Sequence, residues 1–310
     1  MSKQRKVTVF GGTGFVGRRV VSALIASGWS VCVPTRDPAT SKPFEAAGQD
    51  EAFKIVQADL KDAKSVECAL IGANACINLV ALLFETDAQT FRALHVEGAE
   101  NIARACVTRG ISNVAHVSAI GADKNSPSDY ARTKAIGEQR VRHHLPHADI
   151  FRPSIIFGDG DGFFTRFAQM ARLAPALPLI GGGTTKFQPV FVEDVAAAIV
   201  GRLNAGTDGT IYELGGPSVY SFKDLLRFTL RTIGKHRLLM PIPWAMAYPM
   251  GLAGEISGRL PGIDPFLTRD QVHNLKSDNV VNSDLATFAE LNINPASIDE
   301  IVPTYLARFR

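Results

Sequence analysis

The sequence predicts an α/β protein with a doubly wound parallel sheet and a smaller C-terminal domain. Apolar strand-like runs alternate with helical patterns through the first half of the chain. The runs are continuous, as in strands that are covered by helices on both faces. Val7–Gly17 reads as a strand, a glycine turn and a helix start. After Phe151, prolines and the run Gly181–Gly183 break this alternation, which predicts a second unit there.

Each element of the first half is assigned from its apolar pattern and its flanking turn residues. The predicted strands are Val7–Phe10, Ser30–Thr35, Phe53–Ala58, Ala75–Val80, Asn113–Val117 and Asp149–Phe151. The predicted helices are Phe15–Ser27, Ala63–Ile71, Thr90–Arg109 and Tyr130–His144. Right-handed crossovers make this a doubly wound sheet, whose ligand is expected at the carboxyl ends of the strands.

The second half is predicted to form the smaller domain, which divides the chain into residues 1–153 and 154–310. Phe187–Val192 reads as a strand and Asp194–Leu203 as a helix, and residues 187–203 are expected to lie in the second domain or to pack back on the sheet. Leu238–Gly254 has no charged residue but contains three prolines. It has two interpretations: a buried, broken segment, or a docking surface for a partner at a membrane.

The glycine turn predicts a dinucleotide site. One glycine permits the turn, one lets the backbone approach a pyrophosphate, and one lets the helix pack closely on its strand. The amino terminus of the helix then offers free N–H groups and a partial positive charge to the phosphates. The residues predicted to contact the phosphates are Gly11, Gly12, Thr13, Gly14, Phe15, Val16 and Gly17.

The end of the second strand favours NADP(H) over NAD. Arg36 follows Thr35, 19 residues after Gly17, and a guanidinium there would pair with a 2′-phosphate through charge-assisted hydrogen bonds. Asp37 is the rival, because a shift of one residue would let its carboxylate bind the free ribose of NAD.

Further cofactor contacts are expected at the ends of other strands. Asp59 could accept from the adenine amino group, or it could form an Asx-type cap before the helix that starts at Ala63. Leu60, Val80 and Pro153 lie at or just past the ends of the third, fourth and sixth strands and complete the predicted set.

Tyr130 and Lys134 are predicted as the catalytic pair. They lie at i and i+4 on one face of a helix that begins after Ser126–Asp129. An ammonium beside a phenol favours the phenolate and would move the pKa of the tyrosine toward working pH. Such a phenol can exchange the proton that accompanies hydride transfer at a carbonyl, while the lysine can also hold the nicotinamide ribose.

Ser118 is the third predicted catalytic residue, since it ends the fifth strand and could donate to a substrate oxygen. The alternative is that its hydroxyl is satisfied by the backbone, or that Ala119 occupies the catalytic register.

Composition argues against several other classes. Thirty-three basic and 30 acidic residues give a net charge of +3, too small to indicate nucleic acid. His143, His144 and His147 suggest a metal, but Pro146 interrupts them, so no metal site is predicted. Because a strand begins by Val7, no targeting peptide is expected ahead of it unless one has been removed. The expected location is cytoplasmic.

The chain resembles the short-chain dehydrogenase/reductase superfamily, in its extended or atypical branch. The resemblance rests on Gly11–Gly17, Asp59, Ser118, Tyr130, Lys134, Arg152-Pro153 and Val192–Val195, and implies a Rossmann fold that binds NAD(P). A narrower resemblance is to the nucleotide-binding accessory subunits of respiratory complex I and their bacterial relatives. It rests on Ile77–Phe84, His95–Ala99, His116–Ala122 and Leu267–Val272.

Two functions follow from these resemblances. The narrower one implies a tightly held NADPH with a structural or assembly role, and complex I subunits at the membrane surface as partners. It also implies a peripheral location on the cytoplasmic face of the inner membrane, or on the mitochondrial matrix side for a mature organellar chain. The alternative is an active NADP-dependent reductase, epimerase or dehydratase, with a small or nucleotide-linked substrate as its partner.

Overall fold

The computed structural model describes residues 5–38, 52–258 and 264–310. The strands are β1 (Lys6–Phe10), β2 (Ser30–Thr35), β3 (Phe53–Gln57), β4 (Ala75–Asn78), β5 (Asn113–Val117), β6 (Asp149–Pro153), β7 (Ile156–Phe157), β8 (Ala176–Ile180), β9 (Lys186–Phe187), β10 (Val190–Phe191), β11 (Ile211–Leu214), β12 (Tyr220–Ser221) and β13 (Leu238–Ile242). The α-helices are α1 (Phe15–Ala26), α2 (Ala63–Ala69), α3 (Ala99–Thr108), α4 (Asp129–His144), α5 (Phe164–Leu173), α6 (Val192–Ala205), α7 (Phe222–Thr232), α8 (Trp244–Ser257), α9 (Arg269–Asn274) and α10 (Ile298–Leu306).

The main sheet has seven strands in the order β11-β6-β5-β4-β1-β2-β3, and every pair in it is parallel. The chain leaves β1 toward β2 and β3, then returns to β4 on the other side of β1. The topological switch point therefore lies between β1 and β4, beside the glycine turn. This confirms the predicted doubly wound parallel sheet, and it places the expected ligand site at the carboxyl ends of these strands.

Helices cover both faces of this sheet. On one face, α1 packs against α6, and Val21, Leu24, Ile199 and Leu203 are buried in one core cluster. On the other face, α2, α3 and α4 bury Val66, Ile102 and Val141 in a second cluster. Each fully buried aliphatic side chain of this size contributes about 1.5–3 kcal/mol, so the two clusters fix the sheet that carries the site.

The helix predicted at Thr90–Arg109 begins as a π-helix, Arg92–Gly98, which continues into α3. This turn lies tightly against α4: a Cβ added at Gly137 would lie 2.1 Å from the carbonyl oxygen of His95. Such π-turns are rare and occur frequently at functional sites. Here the turn brings the His95 ring beside the helix that carries Tyr130 and Lys134.

The second half is interleaved with the first. β11 pairs with β6 and extends the main sheet, and α6 covers that sheet together with α1. The division at residue 153 stays a prediction, but residues on both sides of it build the sheet. The predicted strand Phe187–Val192 is instead two short strands, β9 and β10, because Pro189 lies between them and cannot donate to a ladder.

A separate aromatic core forms around α5, α7 and α10. Its rings belong to Phe157, Phe163, Phe164, Phe167, Phe187, Phe222 and Phe228. Asp161 begins α5 by accepting from the backbone N–H groups of Phe163 and Thr165 at 3.1 and 2.8 Å. The hydroxyl of Tyr305 on α10 donates to the same carboxylate at 2.5 Å. This buried bond fastens the C-terminal helix to the second core.

Candidate functional site

The glycine turn leaves no room for side chains at three positions. A Cβ at Gly12 would lie 2.8 Å from Val33 Cγ2, and one at Gly17 would lie 2.2 Å from the carbonyl oxygen of Gly11. Gly11 has a φ of +80° and approaches the backbone of Leu79 and Val80, where a Cβ would be 3.1 Å away. The turn therefore packs α1 directly onto β1, as close approach to a pyrophosphate requires.

The amino terminus of α1 is open to an anion. Its N-cap is Gly14, which offers no side chain to the free N–H groups, and its first turn contains no acidic residue. Thr13, Phe15 and Val16 surround this end, and the Thr13 carbonyl accepts from Arg18 Nε at 3.1 Å. Helix-end amides of this kind bind phosphate through their N–H groups and the helix dipole. The glycine turn thus fits a dinucleotide.

Arg36 lies just past β2, exposed and next to the loop that follows β4. With the Gln89 amide turned so that its oxygen faces the guanidinium, that oxygen accepts from Arg36. Lys61, which follows β3, donates from its ammonium to the carbonyl of Ala88 in the same loop. Two cations therefore flank the place where the adenosine half of a dinucleotide is expected. Asp37 is also exposed.

Asp59 forms an Asx turn: its Oδ1 accepts from the backbone N–H of Lys61 at 2.9 Å. The N-cap of α2 is Asp62, whose carboxylate accepts from Lys64 N. The prediction that Asp59 caps the helix is therefore wrong, because Asp62 is the cap and Asp59 instead orders the turn before it. A contact with adenine stays a prediction.

The other predicted cofactor residues have defined places. Leu60 is buried against Gly98, where an added Cβ would lie 3.0 Å from Leu60 Cβ. Val80 N donates to the side-chain oxygen of Asn78 at 3.1 Å, which shapes the turn after β4. Pro153 ends β6, and its carbonyl accepts from Ile120 N at 3.1 Å.

Lys134 is buried, with 2% exposure, and it points at the end of β5. Its ammonium donates to the carbonyl of Val117 at 2.8 Å. Burial lowers the pKa of the ammonium to about 8, although the carboxylate of Glu138 acts in the other direction. A cation held in this way beside the nicotinamide end of a site can bind ribose hydroxyls.

Ser118 follows Val117 and is 4% exposed. Its Oγ has no hydrogen-bond partner among the residues that the structure describes, while its backbone N–H donates to Phe151 at 2.7 Å. The alternative that the backbone satisfies this hydroxyl is therefore wrong here. A buried hydroxyl without a partner costs about 1–3 kcal/mol, so this position fits a bound polar group.

Tyr130 is held by aromatic rings. The ring centroids of Phe91 and His95 lie 5.9 and 5.5 Å from its own, both in edge-on contact. Burial raises the pKa of the Tyr130 phenol to about 12, and the carboxylate of Asp270 adds to the rise. The expected shift toward working pH is therefore wrong for this structure, because burial and a carboxylate both raise the pKa of the phenol.

His95 orders the loop after β4. Its Nε2 accepts from the backbone N–H of Leu82 at 2.9 Å, so the neutral ring carries its proton on Nδ1, which lies 3.1 Å from Thr133 Oγ1. Thr133 donates in turn to the carbonyl of Asp129 at 2.7 Å. Burial, followed by the charge of Lys134, lowers the pKa of His95 to about 2. The loop and α4 are thus joined by a neutral histidine.

A buried ion-pair network lies behind Lys134. Arg152 donates to both carboxylate oxygens of Glu138, at 2.9 and 2.6 Å, and lies 3.5 Å from Glu213 on β11. Glu213 also accepts from the backbone N–H of Asn282 at 2.8 Å. This network joins α4, β6, β11 and the C-terminal tail beneath the site.

Sequence reasoning missed two residues that shape this site. His95 belongs to the motif His95–Ala99, but the contact of its ring with Tyr130 depends on the π-turn. Asp270 is 140 residues from Tyr130 in the chain, so no local spacing could place it at the start of α4. Its motif, Leu267–Val272, was the available signal.

The segment Leu238–Gly254 is largely exposed, so the prediction of a buried segment is wrong for most of its residues. Ala247 and Gly251 of α8 face inward, and the Trp244 ring packs against Gly181. The outer residues form what is here called the α8 surface: Leu238, Met240, Met246, Tyr248, Met250, Leu252 and Ile256. Met246 is 56% exposed and Leu238 75%.

Within the described residues, no helix has the length and apolar character needed to cross a bilayer.

A cavity of about 540 Å³, lined by Gln188, Gly215 and Phe288 among others, lies beneath the C-terminal tail and away from Ser118 and Tyr130.

The family of this chain follows from residues 7–215, which match the model of the NAD dependent epimerase/dehydratase family. The chain belongs to the NAD-dependent epimerase/dehydratase family. Among solved structures, it is similar to dTDP-glucose 4,6-dehydratase from Bacillus anthracis in complex with NAD. The TM-score is 0.74 at 14% identity, and the match covers 98% of this chain and 96% of that one. This likeness shows the fold.

Relatives within the family are similar over almost the whole chain. The NADH dehydrogenase (ubiquinone) 1 alpha subcomplex subunit 9, mitochondrial, of Arabidopsis thaliana is 35% identical over 98% of this chain and 77% of its own. The NADH-ubiquinone oxidoreductase 40 kDa subunit, mitochondrial, of Neurospora crassa is 31% identical over 98% of this chain and 79% of its own. The predicted resemblance to complex I accessory subunits is thereby confirmed.

Proposed function

We propose that this protein is an NADP(H)-binding accessory or assembly subunit that associates with respiratory complex I. The observation that carries the proposal is the α8 surface, a set of exposed apolar residues on β13 and α8. The chain that bears it is similar, over 98% of its length, to subunits of NADH-ubiquinone oxidoreductase. Exposed apolar patches of this kind mark interaction sites. The nucleotide is expected to be held for its structural effect.

The adenosine end supports NADP(H). Arg36 and Lys61 both lie beside the loop that ends at Gln89, and a 2′-phosphate supplies the charge that two cations need. NAD, with its free 2′-hydroxyl, offers them no anion. When bound, the cofactor supplies a hydride donor or acceptor. The chain contributes the open helix terminus at Gly14, the ammonium of Lys134 and the hydroxyl of Ser118.

The nicotinamide end supports a holding role. Burial raises the pKa of the Tyr130 phenol to about 12. At neutral pH the phenol therefore keeps its proton and is a poor base. The ammonium of Lys134 is already bonded to the carbonyl of Val117. These contacts favour binding of a nucleotide over rapid turnover.

The α8 surface supports a partner at the membrane. Methionine and aromatic residues are enriched in interfaces, and Met246, Tyr248 and Met250 are all exposed on this helix. Lys235 and Arg237 precede Leu238 in the chain, which adds positive charge at one end of the surface. We therefore expect the chain to attach peripherally, at the side of complex I that meets the membrane surface.

A paired substitution tests this attachment. Met246→Ser combined with Met250→Ser removes apolar area from the α8 surface, while Val107→Ser, at a residue that is 53% exposed on α3, serves as the matched control. In native gels of solubilised membranes, we expect the paired variant to separate from NADH:ubiquinone oxidoreductase activity and the control to stay with it. Both should still bind NADPH. A wild-type chain that never migrates with the complex contradicts the proposal.

The alternative is an active reductase, epimerase or dehydratase, and Ser118 is the observation that favours it. A buried hydroxyl without a partner, beside Lys134 on the tyrosine helix, is suited to a substrate carbonyl. Sustained turnover of NADPH with carbonyl or nucleotide-linked substrates, abolished by Tyr130→Phe, would establish this alternative. Binding of NADPH without turnover across the same substrates supports the accessory role.

A further inference from the structure

Helix α4, which carries Tyr130 and Lys134, is capped by a carboxylate from the far end of the chain. Asp270 accepts from the backbone N–H of Asp129 at 2.5 Å and of Tyr130 at 3.3 Å. It also accepts from the Ser128 hydroxyl at 2.9 Å. The oxygen of that hydroxyl, Ser128 Oγ, accepts in turn from Ala131 N at 3.2 Å. The N–H groups of the first turn, which a helix leaves without partners, are therefore satisfied by Ser128 and Asp270 together.

Asp270 belongs to α9, which is fixed rigidly to α8. Arg269 binds both carboxylate oxygens of Glu255, with its backbone N–H at 2.9 Å and its Nε at 2.8 Å. A Cβ at Gly251 would lie 2.7 Å from Arg269 N, and one at Gly254 would lie 1.9 Å from the carbonyl oxygen of Leu267. The two backbones are thus in direct contact, and a shift of α8 must move the segment that carries Asp270.

A second contact joins α9 to the loop after β4. Gln271 Nε2 lies 3.4 Å from the carbonyl of Leu83, in the loop that His95 orders from below. Gln271 also closes a capping box with Thr268 at the start of α9. On the same helix α8, Met246 and Met250 are exposed members of the α8 surface. One rigid helix pair therefore contacts the nucleotide site on one side and presents an apolar surface on the other.

We propose that Asp270 is a positioning residue through which occupancy of the nucleotide site is transmitted to the α8 surface, and through which a partner on that surface steadies the nicotinamide end. The inference rests on the proposed function, because it needs a nucleotide in the site. Coupling of this kind is reciprocal: a ligand that orders α4 stabilises the docked position of α8, and docking strengthens nucleotide binding by the same factor.

The test is hydrogen exchange of the full-length protein with and without saturating NADPH, read on peptides covering residues 244–257 and 268–274. In the wild type, NADPH should slow exchange in both segments, although neither contains a predicted cofactor-binding residue. In Asp270→Ala, kept saturated with NADPH, we expect slowing around Gly11–Gly17 but not in α8. Asp270→Asn, which retains one hydrogen-bond acceptor, should restore part of the effect. Asp284→Asn, an exposed carboxylate elsewhere in the C-terminal tail, should behave as the wild type.

Binding measurements separate a positioning role from a general loss of structure. Asp270→Ala should weaken NADPH roughly fivefold to tenfold, the scale of a lost helix cap. It should leave adenosine 2′,5′-bisphosphate, which lacks the nicotinamide half, unchanged. Equal losses for both ligands, or α8 exchange that does not respond to NADPH in a wild type that binds it, would overturn the inference alone. A wild type that binds no NADPH would overturn the proposed function first. Should Asp270→Ala fail to fold, the comparison of Asp270→Asn with the wild type decides the matter by the same two readouts.

Discussion

Single side chains are expected to set the cofactor preference at one end of the proposed nucleotide site and the chemistry at the other. Arg36 and Lys61 follow β2 and β3, where the adenosine half is expected, whereas Lys134 and Ser118 lie at the end of β5, where the nicotinamide half is expected. Arg36 and Lys134 are both cations, but one is exposed and the other is buried. Their contributions are therefore expected to differ in kind: the first selects a ligand, and the second carries an electrostatic cost in the absence of one.

Replacing Arg36 should remove the preference for NADPH. In the wild type, NADPH is expected to bind more tightly than NADH, and Arg36→Ala should lose about 1.5–3 kcal/mol of NADPH binding, the scale of a charged hydrogen bond. Calorimetric titration of both cofactors measures this. Asp37→Ala is the control. If the wild type binds the two cofactors equally and Asp37→Ala weakens the binding of NADH, then Asp37 and not Arg36 contacts the ribose.

Lys134 should make stability depend on pH on the alkaline side. Its folded pKa, about 8, lies below the ordinary value of 10.5, so between these values the unfolded chain binds the proton more strongly. Stability therefore rises with pH across this window. Relative to Lys134→Met, the wild type should gain about 3 kcal/mol in free energy of unfolding from pH 8 to pH 10.5, at roughly 1.4 kcal/mol per unit. Denaturant unfolding at both values, with exposed Lys186→Met as control, tests this. Parallel curves for the wild type and Lys134→Met would contradict it.

Among the elements, α4 has little room to change its position. Its Gly137 meets the π-turn at the His95 carbonyl, so the helix can approach only without a side chain there. The same contact holds the His95 ring against Tyr130. The geometry of the tyrosine and the loop after β4 therefore depends on one close helix crossing.

A pair of glycine substitutions measures that crossing. Gly137→Ala places a Cβ 2.1 Å from the carbonyl oxygen of His95 and should cost about 1–3 kcal/mol of stability, as overpacking against a backbone neighbour does. Gly201→Ala on α6 meets nothing within 4 Å, so it should be neutral or stabilise by up to about 1 kcal/mol. Thermal unfolding of the two variants checks the difference. Equal melting temperatures would show that α4 can shift away from the π-turn.

Elements with local signals could be predicted, and those that depend on distant partners could not. The strands Ser30–Thr35 and Asn113–Val117 lie where the sequence places them, because their apolar runs and flanking turns are local. β11 has an apolar pattern too, but its place beside β6 is decided by pairing across the fold. The raised pKa of Tyr130 was missed for the same reason, since it comes first from burial of the phenol in the folded chain and then from Asp270 of the C-terminal segment. The exposure of α8 follows from which face its neighbours cover, and composition does not reveal that.

On the scale of the whole molecule, a buried ion-pair network joins the two halves. Arg152 on β6 contacts Glu138 on α4 and Glu213 on β11, and Glu213 also binds the backbone of the tail. A strand from the first half of the chain, β6, and a strand from the second half, β11, are therefore joined through one guanidinium.

Arg152→Ala should therefore destabilise the whole fold. It leaves two carboxylates buried without their partner, which costs about 3–5 kcal/mol for a buried pair. Arg92→Ala breaks an ion pair with Glu97 in which both side chains are exposed, and it should change stability by about 1 kcal/mol or less. Urea unfolding compares the two. A small loss in Arg152→Ala would mean that water or a rearranged side chain replaces the guanidinium.

The α8 surface also bears on how much of this protein can exist alone. Exposed apolar residues of two chains can pack against each other, so free chains should associate through the α8 surface as their concentration rises. Light scattering of the isolated protein should show this growth, and Met246→Ser with Met250→Ser should suppress it. In a cell, supply in excess of the covering partner would produce orphan chains with this face open to chaperones and proteases. The stoichiometry of synthesis would then matter as much as the affinity of the contact.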